Sequence, residues 1–120
     1  MTLELKWGHC KGDVWCKLNT VNLDNEYFDD LDGVYIIWYM ENSKPITVRV
    51  GQGQIRERLT DHRDNEDIQA YADKGLKVTW AKVKLNQRDG VERYLGEKLN
   101  PKVGERFPQA EPIQCNLPKW

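Results

Sequence analysis

The chain has 120 residues, of which 39% are hydrophobic and 31% charged, and its formal net charge is −1. That size is enough for one compact domain with its own core, and no apolar run approaches the roughly 20 residues that a membrane-spanning helix needs. A near-neutral charge excludes a strongly cationic nucleic-acid binder, although segments 56–63 and 81–88 are mostly basic. We therefore expect one soluble domain in which any contact with nucleic acid depends on local charge.

Residues 1–32 carry the weakest secondary-structure signals. The stretches LELKW (3–7) and CKLNTVNL (16–23) have the composition of short strands, whereas DNEYFDDLDG (24–33) is acidic and rich in turn formers. We expect an N-terminal extension that packs on the domain. No basic segment followed by an apolar stretch and a small-residue cleavage site is visible in it, so the expected location is cytoplasmic.

The chain contains three cysteines, Cys10, Cys16 and Cys115. An odd number of cysteines without an export signal favours reduced thiols over a disulfide framework. His9 lies beside Cys10, so a zinc site is the alternative. The spacing in CKGDVWC is not the two-residue spacing of a zinc knuckle, which makes partly buried free thiols the favoured interpretation.

The stretch GVYIIWYMENSKPITVRVGQG (33–53) predicts a β-hairpin, because two alternating runs of strand-forming residues flank a polar loop. If Met40 pairs with Lys44, then Tyr35 lies opposite Arg49. Opposed residues project from the same face of a sheet. A register that differs by one residue separates the two side chains.

The apolar period becomes helical after the second strand. The segment QIRERLTDHR (54–63) predicts a helix on which Arg58 and His62, four residues apart, share one side. The segment NEDIQAYADKG (65–75) predicts a second short helix that ends at its glycine.

A third strand and a longer helix follow. The stretch LKVTWAKV (76–83) predicts the strand, and RDGVERYLGEKLNP (88–101) predicts a helix that ends at Pro101. Glu92 borders the apolar stripe of this helix, which places a carboxylate at the rim of the core. The tail after this helix contains three prolines, and we expect it to be irregular.

Five sequence elements occur in an order that is typical of one enzyme family. In chain order they are Gly33-Val34-Tyr35, Arg49-Val50-Gly51, Arg58, His62 and Glu92. Together they resemble the signature of the GIY-YIG nucleases, and the resemblance covers residues 33–104. Either tripeptide alone is weak evidence, whereas the ordered set is specific.

The resemblance implies a mixed α+β fold with a small, mainly antiparallel, three-stranded central sheet flanked by helices. The nuclease core is expected at 33–104, between the N-terminal extension 1–32 and a C-terminal tail 105–120. The implied activity is hydrolysis of phosphodiester bonds, so nucleic acid is the expected partner, with DNA favoured. A further partner is also expected. It is either a second copy of the chain, since a single site cuts one strand at a time, or a protein that gives specificity.

The resemblance also implies roles for three of the site residues, and the chemistry of His62 and Arg49 suggests roles for these two. Tyr35 is the general base, Arg58 binds the phosphate and Glu92 is the ligand of one Mg²⁺ or Mn²⁺ ion. Mg²⁺ takes one or two carboxylates and keeps several waters, and the planar guanidinium suits phosphate oxygens. His62, as a neutral imidazole, either relays a proton or makes a structural hydrogen bond. Arg49 either favours ionisation of Tyr35, whose reference pKa is about 10, or binds phosphate itself.

The chain departs from the family pattern at three points. Arg49 replaces the tyrosine of the second tripeptide, the loop between the tripeptides is a few residues longer than usual, and Gly104 stands where many members have an asparagine. The alternative function is therefore a catalytically inactive nucleic-acid-binding or interaction module on the same scaffold. A zinc-stabilised interaction domain built on Cys10 and Cys16 ranks third. The nuclease is favoured because Tyr35 as base, Arg58 as phosphate ligand and Glu92 as metal ligand are all present.

Overall fold

The computed structural model describes residues 2–104 and 107–120. It contains one four-stranded antiparallel sheet in the order β1-β4-β2-β3, together with three α-helices. The strands are β1 (Cys16–Lys17), β2 (Asp32–Glu41), β3 (Lys44–Gln54) and β4 (Lys77–Lys82), and the helices are α1 (Ile55–Arg63), α2 (Glu66–Gln69) and α3 (Leu85–Leu99). The mixed α+β class is as predicted. The sheet has one strand more than predicted, because β1 from the N-terminal segment pairs with β4.

The elements predicted after the hairpin are present. The helix predicted at 54–63 is α1, and the helix predicted at 88–101 is α3, which begins three residues earlier. The second short helix, predicted at 65–75, is divided into α2 and a 3₁₀ turn at Ala72–Lys74. Its end at Gly75 is confirmed, since this residue adopts the left-handed conformation that terminates helices.

The sheet separates two apolar clusters, because β2 is buried on both of its faces. One face carries Tyr35 and Ile37 against α1 and the short segments before the hairpin. The other face carries Val34, Ile36 and Trp38 against α3. The alternation predicted for β2 therefore fills both halves of the core.

The two chain ends pack on the α3 side and pair with each other. The amide of Leu3 donates to the carbonyl of Gln114 over 2.8 Å, and the Asn116 side chain bonds both the amide and the carbonyl of Leu5. The strand predicted at 3–7 is reduced to one isolated bridge between Leu3 and Cys115. The tail is irregular as predicted, since its described residues 107–120 form no helix and no strand beyond that bridge.

The hairpin turn moves the register away from the predicted pairing of Met40 with Lys44. Asn42 and Ser43 both have positive φ, at 52° and 64°, which is typical of a two-residue turn that matches the twist of the strands. Glu41 therefore pairs with Lys44, one residue off the prediction. That shift alone transfers every later residue of β3 to the opposite face.

A β-bulge then shifts the register by a second residue. It lies opposite the step from Ile37 to Trp38, where the partners change from Arg49 to Thr47. Tyr35 consequently pairs with Gly51, so the predicted direct opposition of Tyr35 and Arg49 is wrong. Two single-residue shifts restore the parity, however, and Arg49 projects from the face that carries Tyr35.

The prediction of three reduced cysteines is wrong for two of them. Cys10 and Cys16 form a disulfide with an S–S distance of 2.10 Å. The chain reverses between them at Gly12 and Asp13, which have φ of 80° and 58°, and this reversal brings the two Cα atoms to 5.0 Å. Cys115 is free and buried, as predicted.

The disulfide also removes the thiolates on which the zinc alternative rested. Disulfides are typical of proteins from oxidising compartments. The disulfide therefore gives no support to the expected cytoplasmic location, which stays a prediction. In the described part of the chain, no helix has both the length and the apolar character to cross a membrane.

Loss of the disulfide is expected to destabilise the fold. The double variant Cys10→Ser/Cys16→Ser removes a short cross-link, with a sequence separation of 6. Loop-closure entropy for a loop of this size predicts a loss of about 2 kcal/mol in the free energy of unfolding, measured by urea titration. Alkylation of the denatured, unreduced protein should label one thiol, that of Cys115, and labelling of all three without reductant would contradict the disulfide.

Candidate functional site

All five candidate residues meet at one end of the hairpin. Tyr35 comes from β2, Arg49 from β3, Arg58 and His62 from α1, and Glu92 from α3. The charge of Arg49 lowers the pKa of Tyr35, His62 and Glu92, so its guanidinium lies within electrostatic range of all three. The fold thus gathers residues that are 57 positions apart in the chain, from Tyr35 to Glu92.

The centre of the site is a hydrogen bond between Tyr35 and His62. The phenol oxygen lies 2.5 Å from His62 Nε2, and the two side chains are only 1% and 6% exposed. Burial, followed by the charges of Arg49 and Arg58, lowers the pKa of His62 from 6.5 to about 4. The imidazole is therefore neutral at pH 7, as expected, and its Nε2 and the phenol oxygen share one hydrogen bond.

Tyr35 is held in its neutral form mainly by burial. Desolvation raises the pKa of the phenol above its ordinary value of 10, and the negative charge of Glu92 acts in the same direction. The charge and the donor groups of Arg49, followed by the charge of Arg58, act in the opposite direction and lower it. Arg49 is accordingly the strongest influence that favours the phenolate.

Gly51 gives the phenol its place. Tyr35 faces this glycine across the hairpin, and a methyl group at residue 51 would lie 2.2 Å from the Tyr35 hydroxyl oxygen. The aromatic ring therefore occupies the space that a side chain would need. Packing therefore explains the glycine of the second tripeptide, because a side chain there would take the space of the Tyr35 ring that reaches His62.

Arg58, the predicted phosphate ligand, is paired with an acid of its own helix. Its Nη2 lies 2.5 Å from Asp61 Oδ2, and the two side chains are 41% and 53% exposed. This hydrogen bond raises the pKa of the guanidinium. Exposed ion pairs of this kind contribute about 0 to 1 kcal/mol, so the pair is easily exchanged for another anion.

Glu92 has two neighbours that the sequence did not single out. Gln52 Nε2 donates to Glu92 Oε1 over 2.9 Å and to Asp89 Oδ1 over 2.7 Å. One side-chain amide therefore donates to both carboxylates. The available signals were the three-residue spacing of Asp89 and Glu92 on one helix and the polar residue between Gly51 and Gly53, which are weak when taken alone.

The carboxylate pair suits a hard divalent cation. Burial and the charge of Asp89 raise the pKa of Glu92, against the opposing effects of Gln52 and Arg49. A cation would relieve this repulsion, and Mg²⁺ needs only one or two carboxylates because it keeps several waters. Within the described residues, no cluster of three or more His, Cys, Asp or Glu side chains forms a ready cage for a metal ion. These residues therefore suit an ion that keeps most of its coordinating waters, with Glu92 as its ligand and Asp89 beside it.

Comparison with known proteins adds no relative: no family model, curated protein or solved structure matches this chain. The resemblance to the GIY-YIG nucleases therefore stays a prediction from the residues of the chain.

The lowered pKa of His62 predicts a specific loss of stability in acid. Between pH 6.5 and 4 the unfolded chain binds a proton at this residue that the native chain does not, so the free energy of unfolding falls as the pH falls. The contribution is complete above pH 6.5, and its loss approaches about 3 kcal/mol near pH 4. Urea titrations of wild type and His62→Gln at both ends of this window measure it.

The comparison of the two proteins isolates His62, because Glu92 and the other acids titrate in both. Wild type should lose more stability than His62→Gln as the pH falls. Parallel curves would contradict a neutral, desolvated imidazole in the native state.

Proposed function

We propose that the protein is a divalent-metal-dependent endonuclease of the GIY-YIG type, which hydrolyses phosphodiester bonds in nucleic acid, with DNA as the favoured substrate. The observation that carries the proposal is the buried hydrogen bond between Tyr35 and His62, with two arginines and a carboxylate around it. Phosphodiester hydrolysis needs a base, positive charge for the phosphate oxygens and a ligand for a metal ion. The site contains each of these groups on a different structural element.

Tyr35 and His62 provide a route for the proton of the attacking water. In the tautomer that carries its proton on Nδ1, the neutral imidazole accepts the hydrogen bond of the phenol at Nε2. As the phenol proton moves to Nε2, the phenol oxygen accepts the proton of the water, whose oxygen attacks phosphorus. The bond between phosphorus and the leaving oxygen breaks, and that oxygen takes up the proton that the imidazolium carries, so that His62 and Tyr35 are both neutral again. Arg49 favours this sequence because it stabilises negative charge on the phenol oxygen.

Arg58 and Glu92 act on the phosphate from either side of this pair. Arg58 exchanges Asp61 for a phosphate oxygen, an exchange of one anion for another on an exposed guanidinium. Glu92 would hold Mg²⁺ or Mn²⁺, with Asp89 beside it and Gln52 orienting both carboxylates. The ion, when bound, supplies Lewis-acid neutralisation of the charge that develops on the phosphate.

The second candidate function is an inactive nucleic-acid-binding or interaction module on the same scaffold. The observation that favours it is the burial of the base, since only 1% of Tyr35 is exposed and burial raises the pKa of the phenol. A buried neutral phenol is a poor base unless positive charge, here that of Arg49 and Arg58, lowers its pKa. In either case nucleic acid is the proposed partner, and a homodimer or a specificity-giving partner protein stays a prediction.

Plasmid nicking tests the proposal directly. Supercoiled DNA incubated with wild type and Mg²⁺ or Mn²⁺ should be relaxed, and chelation of the metal should stop the reaction. Tyr35→Phe removes the proton acceptor but keeps the ring, and loss of a general base typically costs 10² to 10⁴ in rate. Glu92→Gln should lose nicking together with Mn²⁺ binding, which is measured by calorimetry.

The matched control for these variants is Glu97→Gln, which alters another carboxylate of α3 in an exposed ion pair with Arg93. It should nick like wild type. Nicking that persists in both Tyr35→Phe and Glu92→Gln would refute the mechanism, and nucleic-acid binding without nicking in wild type would favour the inactive module.

Arg49 is expected to set the pH dependence of the reaction. Because its guanidinium lowers the pKa of Tyr35, Arg49→Gln raises that pKa further, and less phenolate is available at any given pH. The limb of the pH–rate profile that rises with pH should shift to more alkaline pH, and the rate at pH 7 should fall about tenfold or more. An unshifted profile in Arg49→Gln, or in Arg49→Tyr, would show that Arg49 does not tune the base.

A further inference from the structure

Two of the departures from the family pattern, Arg49 and Gly104, touch each other. A methyl group at residue 104 would lie 2.4 Å from Arg49 Nη1 and 3.1 Å from its Cζ. Separations this short mean that a side chain at residue 104 would displace the guanidinium of Arg49. Gly104 also has φ of 95°, a conformation that favours glycine. The guanidinium thus occupies the space beside Gly104 that a side chain there would need.

The chain after α3 is fastened at this place. The amide of Lys102 donates to the carbonyl of Thr47 over 3.1 Å, and the amide of Val103 donates to the carbonyl of Val48 over 2.8 Å. Both acceptors lie in β3 at the bulge that turns Arg49 toward Tyr35. Thr47 and Val48 therefore belong to the bulge that orients Arg49, and their carbonyl groups also hold the segment that leads to Gly104.

Arg49 carries a charge without a counter-ion among residues 2–104 and 107–120. No carboxylate in this part of the chain lies within ion-pair distance of its guanidinium, whereas Arg58 is paired with Asp61. Its Nε is buried and has no hydrogen-bond partner there. Leaving a buried guanidinium donor unpaired costs free energy, and an acceptor that reached this N–H would remove the cost.

We infer that Arg49, positioned by Gly104, is an oxyanion-binding group that holds a phosphate oxygen at the site before any metal ion is bound. The inference deepens the proposed function, because it assigns the first contact with the scissile phosphate to Arg49 and not to Arg58. The planar guanidinium offers two parallel donors, a geometry that suits two oxygens of one phosphate. Gly104 is a positioning residue, since it acts only through the arginine.

The test is phosphate binding without metal or turnover. Wild-type protein in chelator at pH 7 is titrated with dimethyl phosphate, a phosphodiester monoanion, and the side-chain NMR signals of the arginines are followed. Saturable binding that shifts the Arg49 Nε–H signal is expected. Arg49→Gln should weaken the affinity at least tenfold, and Arg49→Lys should fall between the two because a point charge lacks the paired donors. Arg93→Gln, which alters another arginine with its own carboxylate partner, should bind like wild type.

Gly104 is tested in the same assay by a double-mutant cycle. Gly104→Ala should weaken phosphate binding about as much as Arg49→Gln, and the double variant should bind no more weakly than either. Each variant is first checked for the native circular dichroism spectrum. Additive losses would show that residue 104 acts independently of the arginine and would overturn its role as a positioning residue.

Two further results would overturn the inference. One is wild-type affinity in Arg49→Gln, which would leave Arg49 as a group that acts only on Tyr35. The other is a tenfold gain in affinity in Glu105→Gln, which would show that the carboxylate next to Gly104 in the sequence already holds the arginine. Nicking by wild type with unchanged phosphate affinity in Arg49→Gln would reject this inference and keep the proposed function. Metal-free phosphate binding that depends on Arg49, without nicking, would do the reverse.

Discussion

The candidate site depends on the register of β3 against β2. If the two-residue turn at Asn42 and Ser43 alone set the pairing, Arg49 would lie on the α3 side of the sheet. The bulge opposite Ile37 adds the second residue and returns Arg49 to the side of Tyr35. Bulges are common where a strand must re-aim one side chain. Here the bulge also offers the carbonyl groups that hold the chain around Gly104.

Desolvation and positive charge compete at the centre of the site. Burial raises the pKa of Tyr35 and lowers that of His62, so that both groups are neutral and share one proton in a single hydrogen bond. The arginines oppose burial at the phenol and reinforce it at the imidazole, because a cation stabilises a phenolate and repels an imidazolium. The phenol therefore keeps its proton in the native state, and Arg49 and Arg58 are the groups that favour its loss. Glu92 stands apart from this pair, with Gln52 and Asp89 as its immediate neighbours.

Much of the fold could be predicted, because its signals are local. The alternation of β2 and the helical spacing in α1 and α3 are properties of neighbouring residues, and the end of the second short helix follows from one glycine, Gly75. The pairing of β1 with β4 and the pairing of the two chain ends were missed because they are made by contacts between distant segments. The disulfide was missed because cysteine count and the absence of an export signal are only indirect guides to the redox state of Cys10 and Cys16.

The sequence by itself determined which chemical groups the protein has and on which elements they stand: a phenol and a guanidinium in the hairpin, an arginine and a histidine on one side of α1, and a carboxylate at the rim of α3. Tertiary structure alone decided how they meet. The bulge put Arg49 on the face that carries Tyr35, Gly51 and Gly104 left space for Tyr35 and Arg49, and the pairing of the strands placed Gln52 against both Asp89 and Glu92. The physical reason is that patterns of hydrophobicity and spacing specify local conformation, whereas register, close backbone approach and burial arise only when distant segments pack.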